Sequence, residues 1–205
     1  MLFKGIYVGT YMYADVLGSL TMMSTASLIS IPCSILTLAV APKLAKKVGL
    51  ARLICAGLLI SAVLYLALFG TIMFVNIPAI VYAVWATLAS TFSSLSILMQ
   101  WGMVGEAIDY NEYLTGKRTE GSIYGTFSLT RRIGTTIGSS LGVLMLGWTG
   151  YQVGAATQSA SALSGIKALS TLVPAICVLG SWFAFRFIWN ITDDVRAKIA
   201  AAKQK

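Results

Sequence analysis

The chain has no histidine in 205 residues and only seven aspartates and glutamates. Without histidine, His-ligated zinc sites and Ser-His-Asp chemistry are excluded within it. Charge of either sign is scarce: 11% of residues, against about a quarter in an ordinary soluble domain. One buried core does not explain that deficit. Cys33, Cys55 and Cys177 are odd in number, far apart and set in apolar runs, a pattern that favours neither a disulfide framework nor a zinc site. No charged region precedes Leu2, and Tyr7, Tyr11 and Tyr13 interrupt the early apolar stretch, so the start does not read as a secretory signal peptide. With no nucleophile–base pair or metal-ligand spacing in the apolar runs, the chain is not expected to be an enzyme.

Apolar residues make up 57% of the chain, and mean hydropathy is +0.80. A helix needs about 20 apolar residues to cross a bilayer, where only its own backbone can satisfy its hydrogen bonds. Six stretches qualify as candidate spans: Phe3 to Leu17, Leu20 to Ala41, Leu53 to Val75, Ile77 to Gly105, Ser122 to Trp148, and Ile166 to Ile188. The first is short and opens partway through a helix. The expectation is therefore an all-α integral membrane fold, with a six-helix bundle over residues 1–190 and a basic tail over 191–205.

The net charge of +8 fits basic cytoplasmic loops. No basic stretch interleaves with exposed aromatics, so nucleic acid is not an expected partner. Lys43, Lys46, Lys47 and Arg52 lie between spans two and three, and Lys117 and Arg118 between four and five. Arg186, Arg196, Lys198, Lys203 and Lys205 follow span six. The other two connections, Val75 to Pro78 and Tyr151 to Gly165, carry no basic residue, and Lys167 at the start of span six is the exception. This alternation predicts a multi-pass protein with a cytoplasmic C-terminus. Pro32 and Pro174 are expected to bend their helices. Gly134, Gly138 and Gly142 form a small-residue stripe suited to close helix packing.

Arg131 and Arg132 sit about 15 Å along span five by helical rise, near the middle of a hydrocarbon core about 30 Å thick. Unpaired and facing lipid, each would cost about 2.5–3.5 kcal/mol, so at least one is expected to face a polar cavity. Glu106, Asp109 and Glu112 recur every three residues along one helix face. By rise from Pro78, Asp109 lies about 46 Å along its helix, beyond the core. These carboxylates are either a solvated helix end or members of exchangeable ion pairs with Lys43, Arg52, Lys117 or Arg118. Asp15 is either a cavity wall or a helix end. The complete spans offer no carboxylate at the depth of the two arginines, which points to a partner chain, a missing segment or an anionic ligand.

Several blocks together resemble the glycoside–pentoside–hexuronide:cation symporters, the melibiose-permease-like branch of the major facilitator superfamily. They are Gly105-Glu-Ala-Ile-Asp-Tyr-Asn-Glu-Tyr, Gly116-Lys-Arg-Thr-Glu-Gly and Tyr124 to Arg132, supported by Asp15-Val-Leu-Gly, Pro42-Lys-Leu-Ala-Lys-Lys-Val-Gly and Gly147-Trp-Thr-Gly-Tyr. The resemblance covers nearly the whole chain and matches the family's C-terminal half, helices seven to twelve. It implies uptake of a sugar with Na⁺ or H⁺ by alternating access in the plasma (inner) membrane, with no cofactor and no metal site in this half. The partners it implies are a sugar, a coupling cation, the lipid bilayer and an N-terminal six-helix half carrying the counter-charges. Arg132 stands where the family usually has a lysine, which tilts the expected substrate toward a hexuronide or other acidic sugar. Ser128, Tyr124 and Arg131 join Arg132 as expected substrate contacts. Glu106, Asp109, Glu112, Arg118 and Glu120 resemble the family's cytoplasmic gate. The alternative is a half-size transporter or channel subunit working as a homo- or hetero-dimer.

Overall fold

The computed structural model describes residues 6–155, 157–189, 191 and 193–202. The start of the first expected span at Phe3, together with Lys203 and Lys205, lies outside them. Among the described residues the chain is all-helical: α1 (Ile6–Tyr11), a π-helical turn (Met12–Val16), α2 (Thr21–Val48), α3 (Leu50–Phe74), α4 (Ala79–Thr115), α5 (Glu120–Trp148), α6 (Ala160–Phe187) and α7 (Asp193–Ala202). Four of these, α2, α3, α4 and α6, are long and apolar enough to cross a membrane. That is fewer than the six spans expected. The described part of span one is short and leaves α-helical register at Met12. At 29 residues α5 is long enough, but Arg131, Arg132 and its many Ser, Thr and Gly residues leave it too polar by composition.

Several boundaries move. The helix of span two continues past Ala41 through Pro42 to Val48, so the basic run expected in a loop is helical. Only Gly49 separates it from α3, at φ 93° and ψ 144°, a conformation that glycine adopts without strain. Span three accordingly starts at Leu50 and carries Arg52 in its first turn. Span four runs on to Thr115 and ends at Gly116, whose left-handed φ of 68° forms the C-cap. Span six begins at Ala160, where the Ser159 side chain accepts a hydrogen bond from the Ala162 amide. This shortens the expected loop from Tyr151 to Gly165 and places Lys167 inside the helix. Part of the expected basic tail is likewise helical, as α7.

α3 packs along both α4 and α6, and α2 packs on α4. One core cluster joins Val8, Met12, Leu68, Ile72, Tyr82 and Ile166 at one end of the bundle. A second joins Ala41, Ile54, Leu58, Met99 and Met103 at the other end, with Trp182 and Trp189 against it. Between them, the buried Ser61 hydroxyl donates to the Ala89 carbonyl at 2.7 Å. Hydroxyls along the helices bond back to carbonyls three or four residues earlier, as Ser34 does to Ser30 and Thr37 to Cys33. A polar side chain satisfied within its own helix can sit in an apolar setting at modest cost. Gly57 lies so close to α4 that an added Cβ would come within 3.0 Å of the Phe92 carbonyl. The expected glycine stripe is part of the packed face of α5, whose buried residues are Gly138, Gly142 and Leu146. The rest of that helix is half-buried or exposed.

Candidate functional site

The end of α4 and the start of α5 form a tight hairpin. Asn111 fixes it: its side-chain amide donates to Thr119 Oγ1 at 2.9 Å and to the Lys117 carbonyl at 3.3 Å. The hairpin presents Arg118 to three carboxylates. Its Nη1 lies 2.7 Å from Glu112 Oε2 and 3.5 Å from Asp109 Oδ1, and its Nη2 lies 2.5 Å from Glu120 Oε1. Glu120, then Glu112, hold the guanidinium pKa above its ordinary value, so Arg118 stays charged. The three carboxylates are themselves partly exposed. Such pairs exchange with solvent readily and set geometry more than they add stability.

Four of the five expected gate residues therefore meet: Asp109, Glu112, Arg118 and Glu120. Glu106 does not join them. It lies one turn deeper on α4 and pairs with Arg196 of α7 at 2.9 Å, each side chain about 26% exposed. A contact between residues so far apart in sequence carries no local signature. The basic composition of the C-terminal segment was its only trace.

The expected substrate contacts lie on α5. Tyr124, Ser128 and Arg131, at spacings of four and three, share one face. Along that face the Arg131 guanidinium lies 5.8 Å from the centroid of the Trp101 ring on α4. Tyr124 and Phe127 approach the same ring at 6.1 and 5.4 Å. Arg132 points away by about 100° around the helix and is exposed. Neither arginine has a carboxylate partner among the described residues. A cavity of about 220 Å³ lies elsewhere, inside the bundle between α1, α3, α4 and α6, and is lined in part by Tyr65, Tyr82, Thr87, Ser90 and Ser170. None of the expected substrate residues lines it.

At the opposite end, the Tyr151 hydroxyl donates to Asp15 Oδ2 at 3.3 Å and its ring packs 4.7 Å from that of Tyr11. Burial and the Asp15 charge raise the Tyr151 pKa, keeping the phenol a neutral donor. Asp15 sits in the π-helical turn, and this contact ties the turn to the segment after α5.

The family model described as MFS/sugar transport protein matches residues 5–193. An uncharacterized symporter of Bacillus subtilis is 34% identical over 185 residues, covering 89% of this chain and 39% of the relative. A glucuronide carrier protein homolog of Escherichia coli is 30% identical over 148 residues, covering 72% of this chain and 31% of the relative. An inner membrane symporter of the same organism is 31% identical over 111 residues, covering 52% and 24%. The chain spans well under half the length of the relatives it matches. They are carriers and symporters, not enzymes. Together with the apolar helices they make this a multi-pass membrane protein. The chain belongs to the MFS sugar transport family, in its glycoside–pentoside–hexuronide:cation symporter-like branch.

Proposed function

We propose that this chain forms the C-terminal six-helix half of a sugar:cation symporter that works by alternating access. The observation that carries the reading is the division of charge along α4 and α5. At the hairpin, Arg118 is neutralised by Asp109, Glu112 and Glu120. About 15 Å further along α5 by helical rise, Arg131 and Arg132 stand without carboxylates among the described residues. An ion-paired end and a middle whose arginines have no carboxylate partner among the described residues suit a gate and a binding site respectively, the site lying at the midplane between two halves.

The short helix α1 with its π turn, and the long but polar helix α5, act as spans seven and eleven of the complete transporter. They face a second six-helix half, which covers the exposed side of α5 and brings the carboxylates for the coupling cation, Na⁺ or H⁺. Names of relatives support this reading, since one is a glucuronide carrier homolog and another an inner membrane symporter. The plasma membrane is the matching location. Lys43, Lys46, Lys47, Lys117, Arg118, Arg196 and Lys198 gather at the hairpin end, which is therefore the cytoplasmic side, with the C-terminus on it. Ion pairs around Arg118 form when that side is closed and separate when it opens, biasing the two states through contacts made in only one.

The test is Arg132→Ala in the intact transporter. Uptake is lost while the amount of protein in the membrane is unchanged. Normal uptake by the variant removes Arg132 from the site.

A further inference from the structure

Arg186, near the end of α6, is half-buried and forms no ion pair among the described residues. Its surroundings are aromatic. The guanidinium lies 5.8 Å from the centroid of the Phe187 ring, and Phe187 packs on Phe183 at 4.5 Å. Both rings are turned outward, 60% and 57% exposed. Trp182, Phe185 and Trp189, by contrast, pack against the core cluster at this end of the bundle. The helix therefore has an inward and an outward aromatic face, with Arg186 between them. Across the α3–α6 interface the guanidinium is close enough to Cys55 to act on it electrostatically. On α3 the same face continues from Cys55 through Leu59 and Val63, both exposed.

By helical rise Ile176 lies about 24 Å along α6 and Arg186 about 39 Å. The exposed stripe thus begins inside a hydrocarbon core about 30 Å thick, and the cation lies beyond it. Gly180 interrupts this stripe between Ile176 and Phe183, and a Cβ there would meet nothing within 4 Å. The gap is an open apolar notch one turn below a cation. Both α3 and α6 are long and apolar enough to cross a membrane. The exposed side of α5 carries two arginines and suits a protein partner, whereas these stripes hold no polar side chain and suit acyl chains.

We propose that the inner end of α6, with α3 beside it, is a binding site for an anionic phospholipid. The phosphate accepts N–H groups from the Arg186 guanidinium, whose planar fork matches it. One acyl chain lies in the Gly180 notch, flanked by Ile176 and Phe183. No carboxylate is paired with Arg186 among the described residues to hold the ammonium of a zwitterionic headgroup. Lys46 and Lys47, exposed just before α3, add to the positive potential, so a headgroup of net negative charge is favoured. The site requires that α3 and α6 span the membrane, and its leaflet follows the sidedness proposed above. It does not depend on which solute is carried.

Native mass spectrometry of the intact transporter in a nonionic detergent tests the site. It counts the lipid retained after addition of dioleoylphosphatidylglycerol or dioleoylphosphatidylcholine at equal concentration. The unmodified protein retains the phosphatidylglycerol about fivefold more, the scale of one basic residue at a membrane surface. Arg186→Gln removes this preference, and Arg186→Lys keeps part of it, having charge without the planar fork. Lys43→Gln, which removes an exposed charge from the same end of the bundle, leaves the preference intact. Gly180→Leu fills the notch and lowers retention of both lipids. Equal retention of the two lipids by the unmodified protein overturns the site. So does a preference that survives Arg186→Gln, or one lost equally in Lys43→Gln, which indicates surface charge alone. Displacement of the phosphatidylglycerol by inorganic phosphate overturns it in favour of a free-anion site. Full retention of both lipids by Gly180→Leu overturns the placement of the acyl chain.

Discussion

Arg118 Nη1 lies 2.7 Å from Glu112 Oε2 and reaches Asp109 at 3.5 Å in the same grip. The first contact is a short charge-assisted hydrogen bond and the second is marginal. This unequal sharing makes Asp109 the member whose removal perturbs the cluster without dismantling it. Asp109→Asn is expected to slow turnover several-fold while sugar KM stays within about twofold, the pattern of a conformational step and not of ground-state binding. Initial-rate kinetics check it, and a large rise in KM at unchanged turnover contradicts the gate role.

The Glu106–Arg196 pair fastens α7 to α4 at an intermediate burial of about 26% for both side chains. Its coupling is expected at about 1 kcal/mol, between exposed and buried pairs. A double-mutant cycle with Glu106→Gln and Arg196→Gln measures it through thermal unfolding in detergent. Hydrogen exchange over Asp193–Ala202 should rise in either single variant. Unchanged exchange there means that the apolar contacts of Ile191 and Ile199, both 7% exposed, hold α7 by themselves.

Gly49 is the whole connection between α2 and α3. At φ 93° and ψ 144°, a side chain is strained whatever space surrounds it. Gly49→Ala is expected to cost about 1–3 kcal/mol, seen as a lower Tm. Gly105→Ala, in a helix and with open space around its Cβ position, should be neutral or slightly stabilising. Equal Tm for the two variants contradicts the reading of Gly49.

The Asp15–Tyr151 contact combines a long hydrogen bond with ring packing on Tyr11. Tyr151→Phe removes only the hydroxyl and is expected to cost less than about 1 kcal/mol at this partly exposed position. Tyr151→Ala removes the ring as well and should cost clearly more. Equal effects of the two substitutions would show that the ring contact contributes nothing.

Much of the helical layout was legible because a bilayer demands long apolar runs, and those runs are local. The register of Glu106, Asp109 and Glu112 was legible for the same reason, since spacing of three follows from helical geometry. Pro42 and the lysines after it read as a loop because polarity and proline usually end a helix. The structure instead carries α2 through them to Gly49. The π turn at Met12 is a change of hydrogen-bond register that composition does not record. Glu106 with Arg196, and Trp101 with Arg131, are tertiary pairs. Each depends on how two helices approach, and no single stretch of sequence specifies that.

Sugar accumulation against its own gradient is the most direct test of the central claim. Membrane vesicles containing the intact transporter would be given p-nitrophenyl β-glucuronide outside under an imposed Na⁺ or proton gradient. The account predicts accumulation above the external concentration with one of the two gradients, abolished by the matching ionophore and by Arg132→Ala. Equilibration that ignores both gradients contradicts symport and indicates a passive pore.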